Sequence, residues 1–342
     1  MLKIISANIN GIRSAYKKGF YEYIAASGAD IVCVQELKAE FMPQTDINHA
    51  DIRTRFIFDD MPVRGLHVRL ENVWEHIVEQ KHYPAAIRRA LGELLAAGAL
   101  LSSNLKNEGT LIVQVQGQGR LKMLVVEATS DNTVRATARW DETADIRDDE
   151  SLTDLLGSNS VFVLTHQPKD AEPWQGVVPL EGDNIAQMLM NYIKRSEQLD
   201  THIVLSASDH VSGGLLVQRL PEEELDTESW ELISTLTQTL TPEELTTLDA
   251  QHVLYRLYHE TPPRVFDPES IEFACTCSHG KVSDMLLMLG GEEVGGIVAE
   301  QGSIQIDCDF CHTKYVFDET DVNALFGAEV VGIFRKEGDR FQ

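Results

Sequence analysis

The first forty residues alternate between short apolar runs and one stretch of helical spacing. Leu2–Ala7 and Asp30–Gln35 are rich in strand-favouring residues, and Ile12–Ala26 carries apolar residues at helical spacing. This order predicts a strand, a helix and a second strand. From Met42 the chain becomes polar and contains proline (FMPQTDINHADIR), which predicts a linker or a new N-terminus.

The next part of the chain mixes helical and extended patterns. Residues 56–70 alternate as extended chain, and amphipathic spacing predicts helices at Glu71–Gln80 and Pro84–Leu105. Two period-two runs around a glycine-bearing turn predict a hairpin within Leu111–Ala128. The same patterns predict further strands at Val134–Trp140, Val161–His166, Gln175–Leu180, His202–Ala207 and Gly214–Leu220, and a helix at Asn184–Leu199. Helices mixed with hairpins, without regular strand–helix–strand alternation, predict an α+β core domain over residues 42–221.

A strongly acidic stretch follows, from Glu222 to Glu272. It contains 13 acidic residues and two arginines. Thr241-Pro242-Glu243-Glu244 spells a capping box with proline at the first helical position. Apolar residues keep helical spacing at Trp230, Ile233, Leu236 and Leu240, and again at Val253, Leu254, Leu257 and Tyr258. We predict a helical linker over residues 222–272 whose narrow apolar faces depend on docking, with ordinary acidic surface helices as the alternative.

Charge and composition narrow the classes of function. Among 342 residues, 54 Asp and Glu oppose 29 Lys and Arg, which gives a net charge of −25. Such a charge repels phosphate backbones and anionic lipids, so neither nucleic acid nor a membrane is an expected partner. The N-terminus lacks the pattern of a secretory signal, and the sequence lacks an apolar run of the roughly 18 residues that span a membrane, so we expect a cytoplasmic protein.

Four of the five cysteines cluster near the C-terminus, in the motifs CTC and CDFC: Cys275, Cys277, Cys308 and Cys311. Two close pairs of soft ligands are what tetrahedral zinc requires. The second pair lies between the alternating runs Ser303–Asp307 and Lys314–Phe317, which predict a hairpin. We therefore predict one Zn²⁺ held by all four cysteines, and the alternative is that they are buried apolar residues.

Two histidines are rival ligands. His279 follows the first pair closely enough to complete a Cys3His site, whereas His312 is adjacent to Cys311 and poorly placed to reach the same metal. Four thiolate ligands leave no position for water or substrate, so we predict no catalytic residues and no enzyme activity. Such a site is either structural or a redox switch, because the thiolate is the form that oxidants attack.

These residues carry a resemblance to a known family. The two cysteine pairs occur together with the segments QGVVPLEGD (175–183), YIKRSEQL (192–199), RLYHE (256–260) and VFDPESIEF (265–273). Over about residues 42–335 the chain resembles the 33 kDa heat shock protein family of redox-regulated holdase chaperones. One departure is the segment SHGK after CTC, where the family commonly has an Arg/Glu-rich run, so the charges beside the predicted ligands differ.

The resemblance implies an architecture and a mechanism. The α+β core and the helical linker would be followed by a zinc-binding redox-switch domain over residues 273–335. Oxidation would pair Cys275 with Cys277 and Cys308 with Cys311. Zinc would then leave, the linker would unfold, and an exposed apolar surface would hold unfolding client proteins without ATP. A homodimer is the expected oxidised form.

Residues 1–39 resemble a different family. IISANINGIRSA and IVCVQELKA are similar to the opening of exonuclease III-type apurinic endonucleases, in which the positions of Asn8 and Glu36 help to hold magnesium. The further catalytic residues of such an enzyme are missing. Ser208-Asp209-His210 matches its late SDH signature but falls inside the chaperone-like region, so we interpret it as coincidence. We expect residues 1–41 to be a truncated passenger or a fusion artefact.

Two rival functions remain open at this point. One is a DNA-repair apurinic endonuclease that uses the N-terminal segment. The other is a purely structural zinc-ribbon binding module.

Overall fold

The structure is a computed structural model, and it describes residues 3–8, 20–35, 50–105, 107–221 and 227–327. The chain divides into two compact units, Met1–Asn48 and His49–Gln342. Within the described residues, none of the helices combines the length and the hydropathy that a membrane crossing requires.

In the described part of the N-terminal unit, strands β1 (Ile4–Asn8) and β2 (Ile31–Gln35) form a parallel pair, with helix α1 (Phe20–Ser27) between them in the chain. This order confirms the predicted strand, helix and strand where the structure describes them. The predicted helix begins outside the described residues. Asn8 ends β1 opposite Gln35, and Glu36 lies outside the described residues.

The second unit has the mixed helix and hairpin composition of the predicted α+β class. Its strands are β3 (Asp51–Ile57), β4 (Val63–Leu70), β5 (Gly109–Gln116), β6 (Leu121–Thr129), β7 (Thr133–Trp140), β8 (Val161–Pro168), β9 (Trp174–Pro179), β10 (Thr201–Ala207), β11 (Ser212–Arg219), β12 (Arg264–Val265), β13 (Glu269–Ser270), β14 (Glu272–Phe273), β15 (Ser303–Asp307) and β16 (Lys314–Asp318). Its helices are α2 (Asn72–Gln80), α3 (Ala85–Leu101), α4 (Leu152–Leu156), α5 (Ile185–Ser196), α6 (Thr227–Gln238), α7 (Pro242–Thr247), α8 (Ala250–Tyr258), α9 (His279–Leu289), α10 (Gly291–Gln301) and α11 (319–327).

Two large sheets form the core. The first has the strand order β10-β11-β4-β3-β12, with β13 also paired to β3, and the second has the order β14-β7-β6-β5-β8-β9. The pairs are antiparallel except for β14 with β7. The prediction of an α+β fold is therefore confirmed.

Helix α3 lies between the two sheets and is buried on nearly every side. Two glycines permit this close packing. A Cβ at Gly92 would lie 2.4 Å from the Ala207 Cβ of β10, and a Cβ at Gly98 would lie 2.6 Å from a methyl of Val126 on β6. Because both distances are far below van der Waals contact, the sheets can approach the helix only where it carries no side chain.

The acidic helices α6, α7 and α8 dock on the outer face of the first sheet. This face and the apolar sides of the helices form a second buried cluster, which we call the linker platform: Phe56, Phe58, Val63, Leu215, Val217, Ile233, Leu240, Leu245, Val253, Leu254, Leu257 and Tyr258. The predicted capping box is present at Thr241, whose side chain and Glu244 satisfy each other's backbone N–H groups. The helices therefore rely on tertiary burial, as their narrow apolar faces predict.

The chain after α8 returns across both sheets, in what we call the connecting segment (residues 259–274). Its short strands β12 and β13 pair with β3 of the first sheet, and β14 pairs with β7 of the second. Glu269 accepts hydrogen bonds from the buried Arg53 guanidinium, and Ile271 is 2% exposed. The segment thus joins the linker helices to the C-terminal region through contacts with both sheets.

Two predictions about the start of the core domain are wrong. The polar stretch FMPQTDINHADIR (41–53) is predicted to be a linker or a new N-terminus. Its residues 41–49 lie outside the described residues, but its last residues belong to the core, since β3 begins at Asp51 and Arg53 is 4% exposed. Arg53 is buried because it pairs with Glu269, which lies 216 residues later in the chain. In addition, residues 56–70 are not one extended run but parts of two antiparallel strands.

His67 is an unusual member of the face that carries the linker helices. It lies on β4 opposite Thr54 and Leu215, is 0% exposed, and neither of its ring nitrogens has a hydrogen-bond partner among the described residues. Burial, reinforced by the charge of Arg69 and opposed by that of Asp249, lowers the pKa of His67 from 6.5 to about 4. The folded protein therefore keeps this imidazole neutral.

A consequence is a loss of stability in mild acid. Between pH 6.5 and 4 the unfolded chain binds a proton at His67 that the folded protein does not, so the free energy of unfolding falls by up to about 3 kcal/mol. We expect His67→Leu to remove this decrease in urea denaturation curves measured across that range. The matched control is His82→Leu at an exposed position, which should retain it. Equal acid sensitivity of wild type and His67→Leu would contradict the assignment.

Candidate functional site

The four clustered cysteines lie in two loops of a small C-terminal subdomain, residues 275–327. Cys275 and Cys277 lie between β14 and α9, where Ser278 caps the helix by accepting a hydrogen bond from the backbone N–H of Lys281. Cys308 and Cys311 lie in the turn of the predicted hairpin, which β15 and β16 form. The subdomain has its own small apolar core: Leu286, Val294, Val298, Ile304, Phe317 and Val322.

Backbone geometry shapes the second loop around its two sulfurs. The backbone N–H of Cys308 donates to the Thr313 carbonyl at 3.0 Å, and that of His312 donates to the Cys308 carbonyl at 2.9 Å. His312 has φ = 54°, a left-handed conformation that few residues other than glycine adopt. The reversal brings Cys311 back to the same side as Cys308.

The structure brings the four sulfurs together. All four ligand atoms lie within 4.8 Å of one another. The Sγ atoms of Cys275 and Cys308 are 3.7 Å apart, and those of Cys277 and Cys311 are 3.4 Å apart. Sulfurs bound at about 2.3 Å to a tetrahedral ion lie about 3.8 Å from each other. The cluster therefore has the dimensions of a four-cysteine metal site, and these residues could hold a metal ion.

The two rival histidines are not part of this cluster. Among the described residues the candidate metal-binding group contains only cysteines. The His279 ring packs against Phe317, with 4.5 Å between ring centroids, and its Nδ1 lies 3.4 Å from the Ser283 hydroxyl. His279 therefore helps to cover the small core instead of facing the sulfurs, and His312 contributes its backbone to the turn.

Other side chains surround the sulfurs and donate to them. The Tyr315 hydroxyl donates to Cys277 Sγ at 3.1 Å, and Arg135 Nη1 donates to Cys275 Sγ at 3.3 Å. The Thr313 hydroxyl lies 3.2 Å from Cys311 Sγ. Donors of this kind orient metal ligands and stabilise their negative charge.

Sequence reasoning placed Tyr315 in a strand but gave no role to Tyr315 or Arg135. Tyr315 is part of an ordinary alternating strand pattern, so its hydroxyl carries no distinct signal. Arg135 is separated from Cys275 by 140 residues. The residues next to Arg135 in the sequence therefore give no indication that it contacts Cys275.

Without a bound cation, the thiols of the cluster have different pKa values. Burial raises the pKa of Cys308 to about 12, although backbone hydrogen bonds in its turn oppose the increase. At Cys311 burial also acts upward, but hydrogen bonds from Thr313 and from neighbouring thiols outweigh it and lower the pKa to about 6. Four adjacent thiolates repel one another, so a bound divalent cation is what allows all four to be ionised together at neutral pH.

Comparison with known proteins adds independent information. The family model described as Hsp33 protein matches residues 51–318. The 33 kDa chaperonin of Neisseria meningitidis serogroup A is 83% identical over 292 residues, which cover 85% of this chain and 97% of that protein. The 33 kDa chaperonin of Chromobacterium violaceum is 48% identical over 293 residues, which cover 85% of this chain and 99% of that protein.

A solved structure is also similar. The crystal structure of the 33 kDa chaperonin (heat shock protein 33 homolog) from Thermotoga maritima superposes with a TM-score of 0.73 at 26% sequence identity. The similar region covers 82% of this chain and 99% of that one. These relatives are named chaperonins, a name for chaperones and not for enzymes.

The sulfur geometry predicts the metal content. We expect the reduced protein to bind one divalent metal ion, and Cys→Ser replacement at any of the four clustered positions to abolish that binding, because a serine hydroxyl is a far poorer ligand than a thiolate. Elemental analysis and thiol titration after chelation measure the effect. Cys33→Ser is the control, since Cys33 lies outside the clustered motifs. Full metal binding by the Cys308→Ser variant would contradict a four-cysteine site.

Proposed function

The chain belongs to the Hsp33 protein family, and from that premise we propose that it is an ATP-independent holdase chaperone that oxidation activates. A chaperone binds unfolded client proteins, and its close relatives are named 33 kDa chaperonins. The observation that carries the regulatory part of the proposal is the convergence of four half-buried sulfurs within 4.8 Å. Such a cluster is both a metal site and an oxidation target.

The proposed metal is one Zn²⁺ bound by Cys275, Cys277, Cys308 and Cys311. Zinc favours tetrahedral thiolate sites and has no redox chemistry of its own, so any oxidation falls on the ligands. Bound zinc supplies the charge that keeps the four thiolates together. The cysteines themselves position the two loops, and the Tyr315 hydroxyl donates to one of their sulfurs. With four protein ligands the site has a structural and regulatory role instead of a hydrolytic one.

Activation is proposed to proceed by disulfide formation. The resemblance to the family pairs Cys275 with Cys277 and Cys308 with Cys311. Each pair of thiolates gives up two electrons to one molecule of peroxide, which takes up two protons and leaves as two molecules of water. Two such steps consume all four ligands and release Zn²⁺. Because zinc binding contributes about 10 to 16 kcal/mol in small zinc domains, its release is enough to unfold the C-terminal subdomain.

The linker helices are the element that we propose to respond to unfolding of the C-terminal subdomain. Their apolar sides are buried on the linker platform, while Glu228, Glu231 and Glu243 are exposed. Residues 222–272 contain 13 acidic residues and two arginines, and this excess of negative charge opposes close packing of the segment. In such a segment, the free energy gained from apolar burial only just exceeds the conformational entropy lost when the segment becomes ordered. Its release uncovers the sheet half of the platform, where Phe56, Val63, Leu215 and Val217 offer apolar surface to an unfolding client.

The remaining parts of the proposal concern partners and location. We propose a cytoplasmic protein with unfolding clients as partners, a homodimer in the oxidised form, and no binding to nucleic acid or membranes, which the net charge of −25 supports. For residues 1–41 we propose a passenger without nuclease activity, because the family match begins at residue 51 and the described part of this segment pairs strand β1 with strand β2. Magnesium-dependent incision of an abasic duplex by this protein would contradict the last proposal.

The central experiment follows metal release and client protection together. We expect peroxide treatment to release one zinc ion per chain, detected with a chromogenic chelator, and to increase suppression of the aggregation of a heat-unfolded reporter enzyme over the same time course. Cys33→Ser should behave like wild type. Suppression that stays unchanged after all the zinc has left would reject the switch and leave a structural zinc module.

The docking of the linker gives a second expectation. Ile233 of α6 is 0% exposed in the platform, and its replacement by alanine should cost about 2 to 5 kcal/mol of docking energy. We expect Ile233→Ala to suppress client aggregation partially while reduced and zinc-bound, and to show faster amide exchange in residues 227–258. The neighbouring Leu232 is 49% exposed, so Leu232→Ala is a matched control that should remain inactive. If neither reduced variant suppresses aggregation although amide exchange is faster in Ile233→Ala, release of the linker is not sufficient for activity, and this part of the proposal is wrong.

A further inference from the structure

A core arginine, Arg135 on β7, lies against the cysteine cluster. It is paired in register with Glu127 of β6, and its Nε and Nη2 atoms donate to the same carboxylate oxygen at 2.8 and 2.5 Å. Both side chains are mostly buried, with exposures of 13% for Arg135 and 19% for Glu127. The carboxylate therefore fixes the orientation of the guanidinium on the sheet.

The free edge of this guanidinium points at the C-terminal subdomain. Its Nη1 donates to Cys275 Sγ at 3.3 Å, and its central carbon lies 4.1 Å from the centroid of the Phe310 ring. Phe310 occupies the turn between Cys308 and Cys311. One side chain of the core sheet thus contacts both halves of the cysteine site, through a sulfur of the first pair and a ring within the second.

The chemistry of this contact depends on the state of the sulfur. A guanidinium is always protonated and forms its strongest hydrogen bonds with anionic acceptors. The sulfur of a metal-bound cysteine carries negative charge, whereas the sulfur of a disulfide is neutral and a weak acceptor. Arg135 keeps its carboxylate partner in either case, so only the contact with Cys275 changes.

We infer that Arg135 is a positioning residue of the cysteine centre, which holds the Cys275 sulfur in place and ties the C-terminal subdomain to strand β7 while that sulfur is a thiolate. This inference rests on the proposed function, because it assumes a metal-bound reduced state. Disulfide formation at Cys275 removes the acceptor and therefore the tie. The adjacent β14, which pairs with β7 at Val134, then loses an anchor next to its last residue.

A second arginine of the same strand provides a comparison. Arg139 pairs with Asp309 of the CDFC turn, but the two side chains are 61% and 49% exposed. Exposed ion pairs contribute little, and salt screens them. Arg139 therefore crosses the same junction without contact to a sulfur, which makes it a matched control for Arg135.

The experiment uses the full-length reduced protein loaded with Zn²⁺ or with Co²⁺ as a spectroscopic probe. We expect Arg135→Gln to increase the rate of zinc loss to a chelator by about 10-fold or more, the range found for residues that support metal ligands. The sulfur-to-cobalt charge-transfer band should shift, and amide exchange at residues 272–275 should increase. Arg139→Gln should change zinc loss by at most about threefold and leave the band in place.

A further pair of variants separates the sulfur contact from damage to the core. Arg135→Gln leaves Glu127 buried without its partner, whereas Arg135→Gln combined with Glu127→Gln removes both charges. We expect zinc loss in this double variant to be as fast as in Arg135→Gln. Zinc loss in Glu127→Gln alone should be slower than in Arg135→Gln, because the arginine is still present and the glutamine oxygen can still accept from it.

Recovery of slow zinc loss in the double variant would overturn the inference, since the effect would then come from the unpaired carboxylate. Wild-type zinc retention and an unshifted cobalt band in Arg135→Gln would overturn it as well, without affecting the proposed function. A wild-type protein that binds no zinc would overturn both.

Discussion

The packing of four sulfur atoms into one small volume is the constraint on which the reduced architecture depends. Two loops that are some thirty residues apart in the chain place their thiols within 4.8 Å of one another. Four thiolates at that distance repel strongly unless a cation lies among them. Burial raises the pKa of Cys308, whereas hydrogen bonds from Thr313 and neighbouring thiols lower that of Cys311, so the thiols differ in acidity when no cation is bound. The same proximity that suits a metal also suits disulfide formation. In the proposed switch, stability and sensitivity to oxidation therefore have one physical origin at this site.

The linker helices are held by opposing contributions, apolar burial and charge repulsion. Apolar residues on one side of α6, α7 and α8 contribute to the linker platform, while the acidic side chains of Glu228, Glu231 and Glu243 on the same helices are exposed. Burial favours docking and charge repulsion opposes it, so the net stabilisation is small relative to either contribution. A segment in this state needs a firm attachment at its ends. The connecting segment provides one by pairing with β3 of the first sheet and β7 of the second.

Much of the architecture could be predicted from local patterns. The α+β class, the hairpin around Leu111–Ala128, the helix that begins after Pro84 and the capping box at Thr241 all follow from periodicity and from residues with specific backbone preferences. The end of the polar stretch before β3 was mispredicted, because Arg53 is a charged residue whose burial depends on its partner Glu269. A buried arginine at a strand position carries no local signal, since its burial depends on a carboxylate far away in the sequence.

The sequence by itself determined the candidate ligands, since the residue types and spacing of CTC and CDFC already specify two pairs of soft donors. It also determined that residues 222–272 would be acidic and that the helices found within residues 227–258 would depend on docking, whereas the predicted helical linker is wrong for residues 259–272, which belong to the connecting segment with its short strands. Only the tertiary structure decided that the pairs converge and that Arg135 reaches Cys275 across 140 residues. It also decided that His67 is enclosed without a partner among the described residues. The reason is physical: periodicity and spacing record interactions between near neighbours in the chain, whereas burial and charge pairing across sheets arise only when distant segments pack together.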